Sequence, residues 1–109
     1  MFDGPGPRSN VVVADSVRVA DAEGLHLRMC AAIVQLVGRF QAQVTVQKDD
    51  RLQDAASILG LLTLAAAKGT RLTVSAIGPD ADRVVPAMVE LLSAGARRSD
   101  ARSLGVVSV

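Results

Sequence analysis

The sequence predicts an α+β fold in which helices cover one face of an antiparallel β-sheet. Several short segments alternate apolar and polar residues, which is the pattern of a strand with one buried face. Longer segments repeat apolar residues at positions i, i+3, i+4 and i+7, which is the pattern of an amphipathic helix. The segments follow one another as strand, helix, strand, strand, short helix, strand and helix, an order that is typical of this fold class.

The composition favours a single small domain with a packed core. The chain has 109 residues, half of them hydrophobic, and a formal net charge of +1. This balanced charge and the lack of Trp and Tyr argue against nucleic-acid binding. The single cysteine excludes an internal disulfide and suits a reducing compartment. No apolar run approaches the ~18 residues of a membrane span, so we expect no membrane insertion and a cytoplasmic location.

The first strand and the first long helix are predicted from two different periodicities. Val17 and Val19 alternate with polar neighbours, which predicts a strand over residues 16–20. The apolar residues 11–13 either extend this strand or pack separately. Residues 28–40 carry a helical apolar stripe. The members of that stripe are Met29, Ala32, Ile33, Leu36, Val37 and Phe40.

A hairpin and a short helix follow. Alternation predicts a strand over residues 43–47. The charged residues 48–50 are interpreted as a hairpin turn, and residues 51–54 as the short partner strand. Ser57 is placed as the N-cap of a helical run to residue 68. The start of this run is apolar on nearly every side, so part of it should be exposed.

The last strand and helix complete the domain. Alternation predicts a strand over residues 71–76, and residues 78–80 begin a final helix. Pro86 lies inside its pattern, which predicts that the helix starts nearer Arg83 or bends. The apolar face of this helix consists of Ala81, Val84, Val85, Met88, Leu91 and Leu92.

The sequence divides into three parts. Residues 1–14 are expected to be a flexible leader, because Gly and Pro recur in them. Residues 15–95 form the folded domain. Residues 96–109 form a tail that is first basic and then apolar, and that is either an extra edge strand or a flexible end.

His26, the single histidine, is the main candidate for chemistry. A lone histidine is usually a surface or structural residue, but His26 stands at the predicted start of a helix. Helix N-termini attract anions, and a neutral imidazole can attack a phosphoryl group. Arg28 could bind phosphate oxygens in a bidentate geometry, and Gly24 allows a tight turn before the histidine.

Cys30 lies four residues after His26, so both side chains would share one face of a helix. Two alternative functions for this pair are a Cys–His nucleophile and two ligands of a metal ion. No second histidine or cysteine is present to complete a metal site, so neither a metal nor another cofactor is expected. The favoured interpretation of Cys30 is a small buried hydrophobic residue.

Ser57 and the apolar residues after it suggest a second site. Ser57 is a helix cap that could also be a regulatory phosphorylation site. A phosphate there would add about two negative charges to an apolar surface and would repel an acidic partner. Ile58, Leu59 and Leu62 are either core residues or a docking surface for a partner protein.

Two motifs resemble those of a known family. Gly24-Leu25-His26-Leu27-Arg28 resembles the active-site signature of the histidine-containing phosphocarrier protein (HPr) of the bacterial sugar phosphotransferase system. Ser57-Ile58-Leu59-Gly60 resembles the family's signature around its regulatory serine, at the family's separation from the histidine. The resemblance extends over residues 15–94.

The resemblance implies an open-faced β-sandwich of four antiparallel strands and three helices. It implies a phosphoryl carrier, not an enzyme, in which His26 Nδ1 takes phosphate from phosphorylated enzyme I and passes it to enzyme IIA domains. Arg28 would stabilise the phosphate. The residues Ile58, Leu59 and Leu62 would dock partners, and Ser57 would be the substrate of an ATP-dependent HPr kinase/phosphorylase.

The sequence departs from the family at two positions. Met29 stands where the family has proline, and Ala56 stands where many members have lysine. Methionine removes no catalytic group, so we expect the chemistry to persist with an altered rate or phosphohistidine lifetime. The alternative function is a regulatory binding protein that acts through Ser57 and protein docking with little phosphate relay.

Overall fold

The computed structural model describes residues 12–94, which contain four strands and three helices. The elements are β1 (Val12–Arg18), α1 (Leu27–Val37), β2 (Gln43–Lys48), β3 (Arg51–Asp54), α2 (Ile58–Thr63), β4 (Arg71–Ile77) and α3 (Ala81–Ala94). Their order is the predicted one, and the α+β class is confirmed.

The four strands form one antiparallel sheet in the order β1-β4-β2-β3. Alternate residues of β2 and β4 are buried under the helices. The opposite face carries polar pairs, since Ser16 lies opposite Thr73 and Thr45 lies opposite Ser75, together with a few exposed apolar residues such as Leu52. The sheet is therefore covered on one face and open on the other, as the family resemblance implies.

The first strand begins earlier than predicted. It was expected over residues 16–20, but β1 starts at Val12, so residues 12–14 belong to the sheet and not to a leader. Val12 lies opposite Ile77 at the end of β4. The strand ends at Arg18, after which the backbone N–H of Ala20 donates to the carbonyl of Leu92 in α3 (3.0 Å).

Helix α1 ends three residues before the predicted limit at residue 40. Gly38 caps it, and the backbone N–H of Phe40 donates to the Val37 carbonyl in a tight turn (3.2 Å). Phe40 still packs against the core from this turn. The apolar stripe therefore continues past the end of the helix itself.

Helix α2 is much shorter than the predicted run to residue 68. Leu64 caps it, and Ala65 takes a left-handed conformation with φ of 51°. Lys48 donates from Nζ to the carbonyls of Leu64 (3.0 Å) and Ala65 (3.4 Å). The lysine thus binds the carbonyls of the C-cap residue and of the residue after it. Of the apolar residues in this loop, Leu64 and Ala66 are buried, whereas Ala65 and Ala67 are exposed.

Helix α3 runs without interruption through Pro86, so the predicted later start is wrong. Proline lacks the N–H that would bond the carbonyl four residues earlier, which belongs to Asp82. Both residues are exposed, so water can solvate that carbonyl. This location lets the helix tolerate the proline.

The core lies between the helices and the covered face of the sheet. Its largest fully buried side chains are Met29, Ile33, Leu61, Leu64, Leu72, Met88 and Leu92. Within residues 12–94 every buried side chain is apolar. No helix in this part of the chain is long and apolar enough to cross a membrane. The predicted tail at 96–109 and the leader before residue 12 lie outside the described residues.

Candidate functional site

A tight turn positions His26. The backbone N–H of Gly24 donates to the Asp21 carbonyl (2.9 Å), and Gly24 has φ of 71°, a conformation that favours glycine. Leu25 is buried, and its N–H donates to the carbonyl of Ala66 (2.9 Å). These hydrogen bonds therefore fix the backbone immediately before His26.

His26 is the N-cap residue of α1, as predicted. Its carbonyl accepts the backbone N–H of Cys30 (3.0 Å), but its side chain caps no backbone N–H of the helix. The first N–H groups of a helix have no intrahelical partners, and they carry the positive end of the helix dipole. The imidazole is therefore available for chemistry beside a site that attracts anions.

Two carboxylates lie beside the imidazole. Nε2 of His26 is 3.4 Å from Asp21 Oδ1 and 4.0 Å from Glu23 Oε1. Nδ1 has no hydrogen-bond partner among residues 12–94, since both side-chain contacts of His26 are made by Nε2. The sequence interpretation treated residues 21–24 only as a polar turn; the signal it missed was a pair of acidic residues five and three positions before the histidine.

Arg28 and Leu27 complete the first turn of α1. Both side chains are exposed, and Leu27 is 61% exposed. Arg28 is placed within the same turn that His26 caps. Leu27 was missed by sequence reasoning because it lies off the apolar stripe, and nothing in the periodicity distinguishes it from an ordinary surface residue.

Met29 and Cys30 point away from solvent. Both are fully buried in the core, so Met29 contributes packing at the position where the family has proline. The Cys30 Sγ donates a weak hydrogen bond to the Leu25 carbonyl (3.8 Å), and burial raises the pKa of its thiol. The interpretation of Cys30 as a small core residue is confirmed.

Ser57 caps α2 as predicted. Its Oγ accepts the backbone N–H of Gly60 (3.0 Å). A side chain at Gly60 would overlap the Gln53 amide oxygen and crowd Ser57. Glycine therefore keeps the start of this helix open around the serine hydroxyl.

The apolar start of α2 is partly on the surface. Leu59 is 76% exposed, whereas Ile58 and Leu62 are half-buried against the core. Helices α1 and α2 pack against each other. Leu27 and Leu59 are therefore exposed leucines on neighbouring helices, and His26 immediately precedes one of them.

A cleft lies at the end of α1 away from His26, where Val37, Gly38 and Gln41 contribute to its walls. No group of three or more acidic, histidine or cysteine side chains within residues 12–94 is arranged to hold a metal ion. The His26 side chain is 21% exposed, so a protein partner can reach it from solvent.

Residues 13–94 match the family described as "PTS HPr component phosphorylation site". The chain is 39% identical over 70 residues to the phosphocarrier protein HPr of Cupriavidus necator, an alignment that covers 64% of this chain and 79% of that protein. The solution structure of Crh, the catabolite repression HPr of Bacillus subtilis, has a TM-score of 0.53 at 36% identity, covering 75% of this chain and 93% of that one.

A crystal structure of the phosphocarrier protein HPr from Bacillus anthracis has the same fold. It aligns with a TM-score of 0.71 at 33% identity and covers 74% of this chain and 96% of that one. The family match covers the whole βαββαβα unit, including both motifs singled out in the sequence. This chain therefore belongs to the HPr family of phosphocarrier proteins of the phosphotransferase system.

Proposed function

We propose that His26 accepts a phosphoryl group from phosphorylated enzyme I and passes it to enzyme IIA domains. The observation that carries this proposal is the N-cap position of His26, with an imidazole that caps no helix N–H and an Nδ1 without a partner among the described residues. The positive end of α1 attracts the incoming phosphoryl group.

Arg28 is the proposed phosphate-binding cation. It occupies the first turn of α1 with an exposed side chain. A guanidinium can bind two phosphate oxygens at once, which favours the charge that accumulates on the phosphoryl group during transfer.

Partner proteins are proposed to dock on the exposed start of α2. Leu59 is the most exposed of its apolar residues, and Ile58 and Leu62 border it. Ser57 lies immediately before this surface, so phosphorylation by an HPr kinase/phosphorylase would place about two negative charges at its edge. That charge would weaken docking of a partner with an acidic surface. A cytoplasmic location is part of the same proposal.

Incubation with enzyme I and phosphoenolpyruvate tests the relay. Intact mass spectrometry should show one added phosphoryl group that is stable in base and lost in acid, as expected of a phosphohistidine. The His26→Ala variant should gain none. A phosphoserine resists acid, so the same treatment distinguishes modification at Ser57. A wild-type chain that gains no acid-labile phosphate would refute the relay.

A regulatory binding protein is the second candidate function. It is favoured by the likeness to Crh, the catabolite repression HPr of Bacillus subtilis, and by the exposed leucine near Ser57. Under this alternative, ATP and a cognate kinase modify Ser57 while enzyme I leaves His26 unmodified.

A further inference from the structure

Asp21 lies beside His26 in a position that differs from that of Glu23. The Asp21 side chain is only 11% exposed, and its Oδ1 is 3.4 Å from His26 Nε2. Glu23 is largely exposed, and its nearest oxygen is 4.0 Å from the same nitrogen. Asp21 is therefore the closer and more desolvated of the two carboxylates, and its field is screened less by water.

The backbone holds Asp21 in place. Its Oδ1 accepts the N–H of Glu23 (2.9 Å), and its carbonyl accepts the N–H of Gly24 (2.9 Å). The preceding residue, Ala20, donates to Leu92 in α3. The carboxylate is thus fixed before any partner protein arrives, which is how a group that orients another side chain is usually held.

We infer that Asp21 is a positioning residue that keeps the imidazole proton of His26 on Nε2 and the lone pair on Nδ1. This inference rests on the proposed phosphocarrier function. A neutral imidazole has one N–H and one lone pair, and an acceptor beside one nitrogen favours the tautomer with its proton there. At 3.4 Å the contact is slightly longer than a standard hydrogen bond, and contacts of this kind often shorten in the reacting complex.

The transfer step explains what Asp21 contributes. The Nδ1 lone pair attacks phosphorus, the Nδ1–P bond forms, and the bond from phosphorus to the donor breaks with its electron pair retained by the donor. No proton leaves the ring. The imidazole therefore becomes positively charged with Nε2 still protonated, and the Asp21 carboxylate stabilises that charge. Transfer to the next protein reverses these changes.

The Asp21→Asn variant tests this role. Its amide oxygen can take the place of Oδ1, which accepts the Glu23 N–H and also faces Nε2, so the turn should persist while the acceptor loses its negative charge. A neutral acceptor holds the proton on Nε2 less strongly than a carboxylate does. The nitrogen-15 spectrum of the single histidine, recorded in alkaline solution where imidazole is neutral, should show mostly Nε2–H in the wild type and a mixture in Asp21→Asn. The kcat for phosphorylation by enzyme I should fall about ten-fold, with KM little changed.

Glu23→Gln is the matched comparison, since it removes the same charge from a more distant and exposed position. It should show a smaller change than Asp21→Asn in both the tautomer ratio and kcat. A rate loss in Asp21→Asn with an unchanged tautomer ratio would refute the positioning role, as would equal effects of the two variants. If enzyme I does not phosphorylate the wild type, the relay itself fails, while the tautomer spectra still test the contact between Asp21 and His26.

Discussion

Gly24 is in direct backbone contact with Ala66. A Cβ at Gly24 would overlap the Ala66 carbonyl oxygen, the same oxygen that accepts the N–H of Leu25. Ala66 belongs to the loop that follows α2, and Gly24 belongs to the turn that precedes His26. The turn before His26 is therefore joined through the backbone to the loop that follows α2.

Gly24→Ala should destabilise the protein strongly. The variant must place a side chain at φ of 71° and also displace the Ala66 carbonyl. Gly69→Ala is the matched control, because Gly69 also has positive φ but open space around its Cα. Chemical denaturation should show a loss of about 1 kcal/mol for Gly69→Ala and at least about 2 kcal/mol more for Gly24→Ala. Equal losses of unfolding free energy in the two variants would show that overlap with Ala66 does not add to the destabilisation.

Leu59→Ser should weaken docking without weakening the fold. The side chain is 76% exposed, so its removal should change the free energy of unfolding by less than about 0.5 kcal/mol. If it contacts enzyme I, KM for phosphorylation should rise roughly ten-fold, as for a central interface residue.

Leu52→Ser provides the control for docking. Leu52 is 58% exposed and lies opposite Gln47, on the face of the sheet that the helices leave open. It should leave KM at the wild-type value. A similar rise in KM for both variants would place the docking surface elsewhere or indicate a nonspecific loss of apolar contact.

Ser57→Ala should lower stability through the loss of a helix cap. The N–H of Gly60 loses its acceptor, which should cost about 1 kcal/mol in urea denaturation. Ser57→Asp retains an oxygen acceptor and should be close to wild type in stability. Ser93→Ala serves as the control, because its hydroxyl bonds a carbonyl on the exposed side of α3. A Ser93→Ala loss as large as that of Ser57→Ala would contradict the capping role.

Cys30 should make stability fall in alkaline solution. Burial raises the pKa of its thiol above the ordinary value of 9.0. Above that pH the unfolded chain loses the thiol proton while the folded chain keeps it, so stability is full below pH 9.0 and declines as pH rises. The Cys30→Ala variant should lack this part of the decline, although it loses packing at all pH values. Parallel stability curves for both proteins across this range would contradict the prediction.

The periodic parts of the fold were predictable, and their ends were not. Apolar alternation located β2 and β4 to within about one residue, because side chains on one face must meet the core. The charged turn that precedes β3 located that strand. The end of α2 depends on Lys48 binding the Leu64 carbonyl, a contact between residues far apart in the chain. Leu64 and Ala66 lie beyond the helix but are also buried, so periodicity alone overextended the predicted helix.

The candidate site was predictable where chemistry depends on residue type. The histidine, its helix cap position and the exposed start of α2 followed from local patterns. The role proposed for Asp21 did not, because a carboxylate in a polar turn is common and its distance from an imidazole is set by the folded backbone. Leu27 likewise became notable only when its exposure was known.

The link from Ala20 to Leu92 has a practical consequence for experiments on this protein. It places the end of α3 next to the turn that holds Asp21 and His26. The start of β1 instead lies against Ile77, at the opposite end of a strand that spans roughly 20 Å. A fluorophore attached at the end of α3 therefore lies beside the proposed phosphorylation surface, whereas one attached at the start of β1 lies away from it and is the better choice for measuring transfer.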